Sequence, residues 1–262
     1  MFRLFKVVPK DLLINTNSSI NTDIMNFLSI DCSTAIGSLF VKIENKTFSK
    51  VLQSDKSNND LIMKQILDFF EENNLKLDDI SQIFVNQGPG NFSGLRGSLA
   101  VAKGLSLSKN LNLFGYNTFI WTCVKFFKKK NFIYSLIKFR EKYFIKKFDQ
   151  NLKSISKVEK ISESEIIKKY DNKFKIIPKN VTKYFDKNLS EASKIKEVTE
   201  EEIIKSYDDI FKVIPKNMTK HFDEKILKLN NLSIVDLDHN ELEFLKLKGL
   251  LDEDLIKPLY LS

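Results

Sequence analysis

The chain has 262 residues, of which 42% are apolar and 29% charged, and a formal net charge of +8. That supplies apolar material for one large or two medium cores, while no apolar run reaches the roughly 18 residues that span a membrane. A soluble, cytoplasmic protein is expected. The two cysteines, Cys32 and Cys123, lack CxxC spacing and a neighbouring histidine, which fits reduced and unreactive thiols.

In chain order, Phe27–Ile30 and Gly37–Val41 read as strands joined by a polar turn with Asp31, Ser33 and Thr34 at its tip. A carboxylate beside hydroxyls and free amides could hold a metal-bound phosphate. Equally, Asp and Ser in such a turn can bond their own backbone. Residues 61–70 are apolar at Ile62, Ile66 and Phe69 and again at Met63, Leu67 and Phe70. These two stripes at helical spacing make a face wider than one sheet contact usually requires. The adjacent pair Asp78 and Asp79 reads as a solvated turn before a strand over Ile80–Val85.

Then comes the most informative segment, Gln87-Gly88-Pro89-Gly90-Asn91-Phe92-Ser93-Gly94-Leu95-Arg96-Gly97. Gly88, Pro89 and Gly90 permit a tight turn. Asn91 or Ser93 can cap a helix running through Leu99, Ala102 and Leu105. Gly88, Gly90 and Ser93 ahead of a helix N-terminus offer a seat for phosphate. Both named nucleotide motifs fail, however. Gly94 is followed by Leu95 and Arg96 instead of Lys-Ser/Thr, and the third glycine of the dinucleotide fingerprint is replaced by Ser93. Along the helix Ala100, Gly104 and Ser108 recur every four residues, which lets another backbone come close. Both helices could instead simply cover a sheet.

From Lys125 to Lys147 nine residues are basic and one is acidic. Aromatic side chains interleave with them, so Lys128, Lys129, Lys130, Lys138 and Arg140 are candidates for nucleic-acid phosphates. Yet Phe132–Ile137 and Tyr143–Ile145 read as strands whose rings belong in a core. Beyond them lies a repeat: Lys157–Asp186 recurs as Lys194–Asp223, offset by about 37 residues and identical at more than half of its positions. Each copy holds a capping box, Ser162 with Glu165 and Thr199 with Glu202, then a short helix, a strand and a stop at Pro178 or Pro215. The sequence does not say which copy sits in the original place. Near the end, Leu255, Ile256, Leu259, Tyr260 and Leu261 are too apolar for a loose tail. Only two histidines occur, His221 and His239, neither with a partner at metal-ligand spacing; His239 reads as part of a polar turn.

Three segments, LSIDCSTAIGSLFV, LKLDDISQIFVNQGPGNFSGLRGSLAVAKGLSL and the terminal KPLYLS, resemble the TsaB (YeaZ) family of glycoprotease-like proteins. The likeness covers roughly residues 25–127 and the last few residues. It implies an α/β fold of the actin, Hsp70 and sugar-kinase (ASKHA) type, with two lobes of mixed sheets flanked by helices. Residues 25–127 would form the first lobe, with motif loops and docking helices. Residues 128–262 would form the second, holding the tandem unit (157–186 and 194–223). Family chains begin near the first strand, so residues 1–24 would be a non-native or disordered extension.

The resemblance also implies a non-catalytic subunit for threonylcarbamoyl transfer to the adenosine beside the tRNA anticodon. Its partners would be a TsaD-type catalytic subunit and a TsaE-type ATPase. tRNA would be met through the complex, and a homodimer could form when the chain is alone. The first two helices, at Ile62, Ile66, Phe69, Ala100, Gly104 and Ser108, would dock the catalytic subunit, and Arg96 would make a structural bond to nearby carbonyls. No cofactor or metal is implied beyond weak ATP or ADP binding; the family's common histidine falls at Asn58. The alternatives are an ATP- or metal-dependent hydrolase or transferase of the same fold, or a stand-alone RNA-binding protein.

Overall fold

The computed structural model describes residues 25–34, 36–53, 61–170, 177–178, 197–198, 211–229, 231–253 and 256–260. The expected extension 1–24, Asn58, the Thr199–Glu202 capping box, Leu255 and Leu261 lie outside them, as does much of the repeat.

The first sheet begins with an antiparallel meander of β1 (Phe27–Asp31), β2 (Ile36–Ile43) and β3 (Lys46–Gln53), with Phe27 opposite Lys42 and Asp31 opposite Ser38. Two more strands, β4 (Gln82–Asn86) and β5 (Asn112–Tyr116), add in parallel on the far side of β1. Parallel neighbours cannot be joined by a tight turn and need a crossover. α1 (Ile62–Glu72) supplies the first and α2 (Phe92–Lys109) the second, giving the order β3-β2-β1-β4-β5.

After α3 (Thr118–Cys123) the pattern repeats. β6 (Phe132–Phe139), β7 (Lys142–Asp149) and β8 (Glu159–Ile161) form a second meander. β11 (Phe211–Pro215) and β12 (Leu232–Val235) then add in parallel beside β6, in the order β12-β11-β6-β7-β8. The two lobes are therefore topological copies, as the α/β expectation holds. α4 (Glu163–Tyr170) comes after β8, and its start is a reciprocal capping box. The Ser162 amide donates to Glu165 Oε2 at 2.9 Å and the Glu165 amide to Ser162 Oγ at 3.3 Å. Among the described residues, β9 (Ile177–Pro178) and β10 (Glu197–Val198) pair with each other alone. α5 (Glu224–Leu227) and α6 (Glu241–Leu247) complete the elements.

Strand alternation divides the core. Leu28, Ile30, Ile83 and Val85 face α1 and α2 on one side of the first sheet. Phe27, Phe84, Phe114 and Tyr116 face the other way and merge with α3 and with Ile133, Leu136, Phe144 and Phe148 of the second sheet. The lobes thus share one apolar core. The end of the chain also returns to the first lobe. Lys42 Nζ meets Glu243 Oε2 at 2.6 Å, Trp121 Nε1 donates to the Asp238 carbonyl at 3.0 Å, and Gly115 pairs with Asp252. The Leu259 amide donates to the Gln87 carbonyl at 2.7 Å, and Ile256 is buried, so the terminal segment packs back. A division at residue 127 tracks the chain and not the packing.

Candidate functional site

The glycine loop between β4 and α2 is built against the β1–β2 hairpin tip. Gly88 has φ +107°, a conformation that favours glycine, and its peptide bond to Pro89 is cis. Its amide donates to Asn86 Oδ1 at 2.8 Å, and Asn86 Nδ2 donates to Ser33 Oγ at 3.3 Å and to Thr118 Oγ1 at 3.1 Å. The Asn91 amide donates to the Ser33 carbonyl at 2.7 Å. A Cβ on Gly90 would run into the Ser33 carbonyl, and one on Gly94 into that of Cys32. Those two glycines are explained by backbone crossing backbone at close range.

Of the phosphate candidates, Asp31, Ser33, Gly88 and Gly90 are brought together, but their polar groups serve one another. Asp31 Oδ1 accepts the Ser33 amide at 2.8 Å, and Thr34 Oγ1 donates to the Ile36 carbonyl at 2.6 Å, the self-bonded turn of the simpler reading. Ser93 lies outside this cluster, exposed on the first turn of α2. Asn91 takes the cap position of α2 without a side-chain bond, which corrects the capping expectation.

Arg96 does not reach carbonyls as expected. Its Nε donates to Tyr260 Oη at 2.9 Å, and its guanidinium lies 3.8 Å from the centre of the Phe92 ring, with the Phe92 and Tyr260 rings 5.2 Å apart. Planar guanidinium on an aromatic face is a favourable contact. The motif arginine thus ties the end of the chain to the start of α2.

The docking residues divide in two. Ile62, Ile66 and Phe69 are 2%, 0% and 2% exposed, packed on the first sheet, so they cannot meet a partner. That corrects the choice of stripe: a residue covering the sheet from this helix is spent. What α1 leaves outside is Leu67, 46% exposed. On α2 the stripe of Ala100, Gly104 and Ser108 is exposed, with open space beyond Gly104 and with Leu107 at 85% exposure beside it.

The five basic candidates are also split. Lys128, Lys129 and Lys130 precede β6, while Lys138 and Arg140 stand at its other end, about 25 Å along an eight-residue strand. Lys138 and Arg140 line a cleft of about 460 Å³ that also takes in Ser33, Thr34, Asn217, Lys220 and His221. Lys138 pairs with Glu141 at 3.0 Å. His221 is therefore a cleft residue, which its place in the repeat did not reveal.

His239 lies in the polar turn its neighbours suggested, and its ring reaches inward from there. Its Nδ1 lies 2.9 Å from Ser29 Oγ and its Nε2 3.3 Å from Ser38 Oγ, and its ring stacks 5.0 Å from Phe40 and lies tilted 4.9 Å from Trp121. Burial drives its pKa down to about 4, against the opposing pull of Asp31 and Asp238. Burial likewise raises Glu241 to about 7, opposed by Lys125. Burial also lifts the Cys32 thiol to about 12 and the Cys123 thiol further, so neither is a nucleophile near neutral pH. The sequence carries no periodic signal for His239, because its partners come from strands some 200 residues earlier.

Residues 53–134 match the family model of TsaD, tRNA N6-adenosine threonylcarbamoyltransferase. Over 86 residues the chain is 34% identical to the tRNA threonylcarbamoyladenosine biosynthesis protein TsaB of Buchnera aphidicola subsp. Baizongia pistaciae (strain Bp). That alignment covers 32% of this chain and 38% of the relative, so the chain matches well under half of that protein's length. Two solved structures share the fold. One is an uncharacterized protein with similarity to peptidase YEAZ from Pseudomonas aeruginosa, at 13% identity and TM-score 0.56, covering 91% of this chain and 100% of that one. The other is YeaZ from Pseudomonas aeruginosa, at 14% identity and TM-score 0.54, covering 90% and 100%. Over the first lobe the chain is thus similar to TsaB and to the TsaD family model, as the motif loop implied, and its two-lobed fold is shared with the YeaZ structures.

Proposed function

We propose that this chain is a non-catalytic subunit in the biosynthesis of threonylcarbamoyladenosine on tRNA, and that it docks a TsaD-type catalytic partner. The observation that carries the reading is the exposed face of α2, with Ala100, Gly104 and Ser108 in line and Leu107 beside them, inside the segment most similar to the family. Small side chains there let a partner helix approach, and Leu67 and Leu107 offer apolar contact. The chain's own reactive groups favour a silent role. Its glycine loop is filled by the hairpin tip, its thiols are held protonated, and His239 is engaged by two hydroxyls.

Reconstitution of threonylcarbamoyl transfer tests this, using TsaD-type and TsaE-type proteins of the same organism with and without this chain. Activity that requires the chain, and none from the chain alone, is the expected result. Activity from the chain alone would overturn the silent role, and full activity without it would overturn the subunit role.

A second reading concerns tRNA. The cleft brings Lys138 and Arg140 together with Lys220, His221 and the hydroxyl-bearing turn at Ser33 and Thr34, which supports phosphate contact there in preference to Lys128–Lys130. Charge reversal at Arg140 and Lys220 is expected to weaken tRNA binding by the complex at least several-fold, and at Lys128, Lys129 and Lys130 to leave it unchanged. The opposite pattern would sink this placement.

A further inference from the structure

Among the described residues, the parts of the repeat that build the second lobe come from both copies. The first half of copy one is β8 and α4. β8 pairs with β7, Tyr143 facing Ile161, and Ile161 and Ile166 lie in the large core. The second half of copy two is β11 with the turn after it. β11 is buried throughout between β6 and β12, and Phe211, Val213, Ile214, Met218 and Phe222 lie in that same core. Of the remaining halves, two short strands are described. Ile177–Pro178, which corresponds to Ile214–Pro215 of β11, and Glu197–Val198, which corresponds to Lys160–Ile161 of β8, pair with each other outside the large sheet.

We infer that the original unit is divided between the copies: the first half of copy one and the second half of copy two jointly form one crossover, and about 37 residues between them are supernumerary to the lobe. Strand directions require such a crossover. β8 is antiparallel to β7, β7 to β6, and β11 is parallel to β6, so β8 and β11 run the same way. Parallel strands need a helix between them. Three strand spacings separate β8 from β11, about 14 Å, and the eight residues of α4 span about 12 Å. α4 also packs on α5, which lies beyond β11. The first lobe makes the same move once, with β3, α1 and β4. Joining Tyr170 to Asp208 removes 37 residues and recreates the Tyr-Asp step found in both copies. It leaves three residues between α4 and β11, a normal length for such a loop. Residues Asn217, Met218, Lys220 and His221 of the cleft all survive that deletion.

Four alanine variants of the full chain test the division by thermal unfolding: I166A and its equivalent I203A in the first half, F211A and its equivalent F174A in the second. I166A and F211A are each expected to lower the Tm by about 5 °C or more, while I203A and F174A leave the main transition in place. If I166A and F174A are the damaging pair, copy one holds the place whole; if I203A and F211A are, copy two does. Either outcome overturns the inference. The chain lacking residues 171–207 is expected to unfold in one cooperative transition near the parent Tm and, resting on the proposed function, to support threonylcarbamoyl transfer by the reconstituted partners as the parent does. Failure of that chain to fold, with the alanine pattern unlike the one expected, rejects it as well.

Discussion

Identical substitutions at two glycines of α2 and its leading loop should have opposite signs. Gly90 faces the Ser33 backbone, which cannot step aside as a flexible side chain could, so Gly90→Ala is expected to cost about 1–3 kcal/mol. Gly104 has nothing within 4 Å of a Cβ and sits inside a helix, so Gly104→Ala should stabilise by about 0.5–1 kcal/mol. Urea unfolding of both variants checks the pair. His239 and Glu241 set a second contrast. His239 is neutral in the fold until about pH 4, whereas the unfolded chain takes up its proton near 6.5, so its stabilisation is lost as pH falls from about 6.5 to about 4. Glu241 is protonated in the fold up to about 7, so its stabilisation is lost as pH rises from about 4.5 to about 7. Between pH 4.5 and 6.5 the two oppose, each on the order of 1–3 kcal/mol over its full range. In that window H239Q should make stability fall with rising pH, and E241Q should make it rise. Urea midpoints at stepped pH would read both slopes, and parallel slopes in the two variants would refute the assignment.

At the scale of elements, α1 turns from buried to exposed within two consecutive residues, Ile66 and Leu67. Ile66→Ala, at a fully buried position, is expected to cost about 2–5 kcal/mol. Leu67→Ala should change stability by less than about 0.5 kcal/mol while weakening association with a TsaD-type partner. Titration by calorimetry beside urea melts distinguishes them. The sequence made α1 legible as a helix with a wide apolar face, because spacing reports periodicity. It did not reveal which stripe faces inward, since Ile66 and Leu67 are chemically alike and only the sheet decides. The motif loop, both hairpins and the capping box at Ser162 were legible for the opposite reason: their signals are local. The cleft and the His239 contacts were not, because each assembles side chains from strands and turns far apart in the chain. The repeat was plain as a repeat, yet its division between two places depends on strand pairing that no single copy encodes.

For the whole molecule, the shared core and the returning end of the chain make the two lobes one mechanical body. Removing residues 252–262 takes away the Asp252 pairing with Gly115, buried Ile256 and the Leu259 bond to Gln87. It is expected to lower the Tm by at least about 5 °C and to speed hydrogen exchange at the Gly115 amide; unchanged exchange there would contradict the role given to that segment. The same arrangement bears on synthesis at the ribosome. The hairpin, glycine loop and α2 are made well before Asp252, which bridges to Gly115 at the β5 edge, and before Tyr260, which receives Arg96. The first lobe therefore waits, with an open edge, until synthesis has passed those residues. A nascent chain stalled before residue 252 should present that edge to chaperones or to other chains.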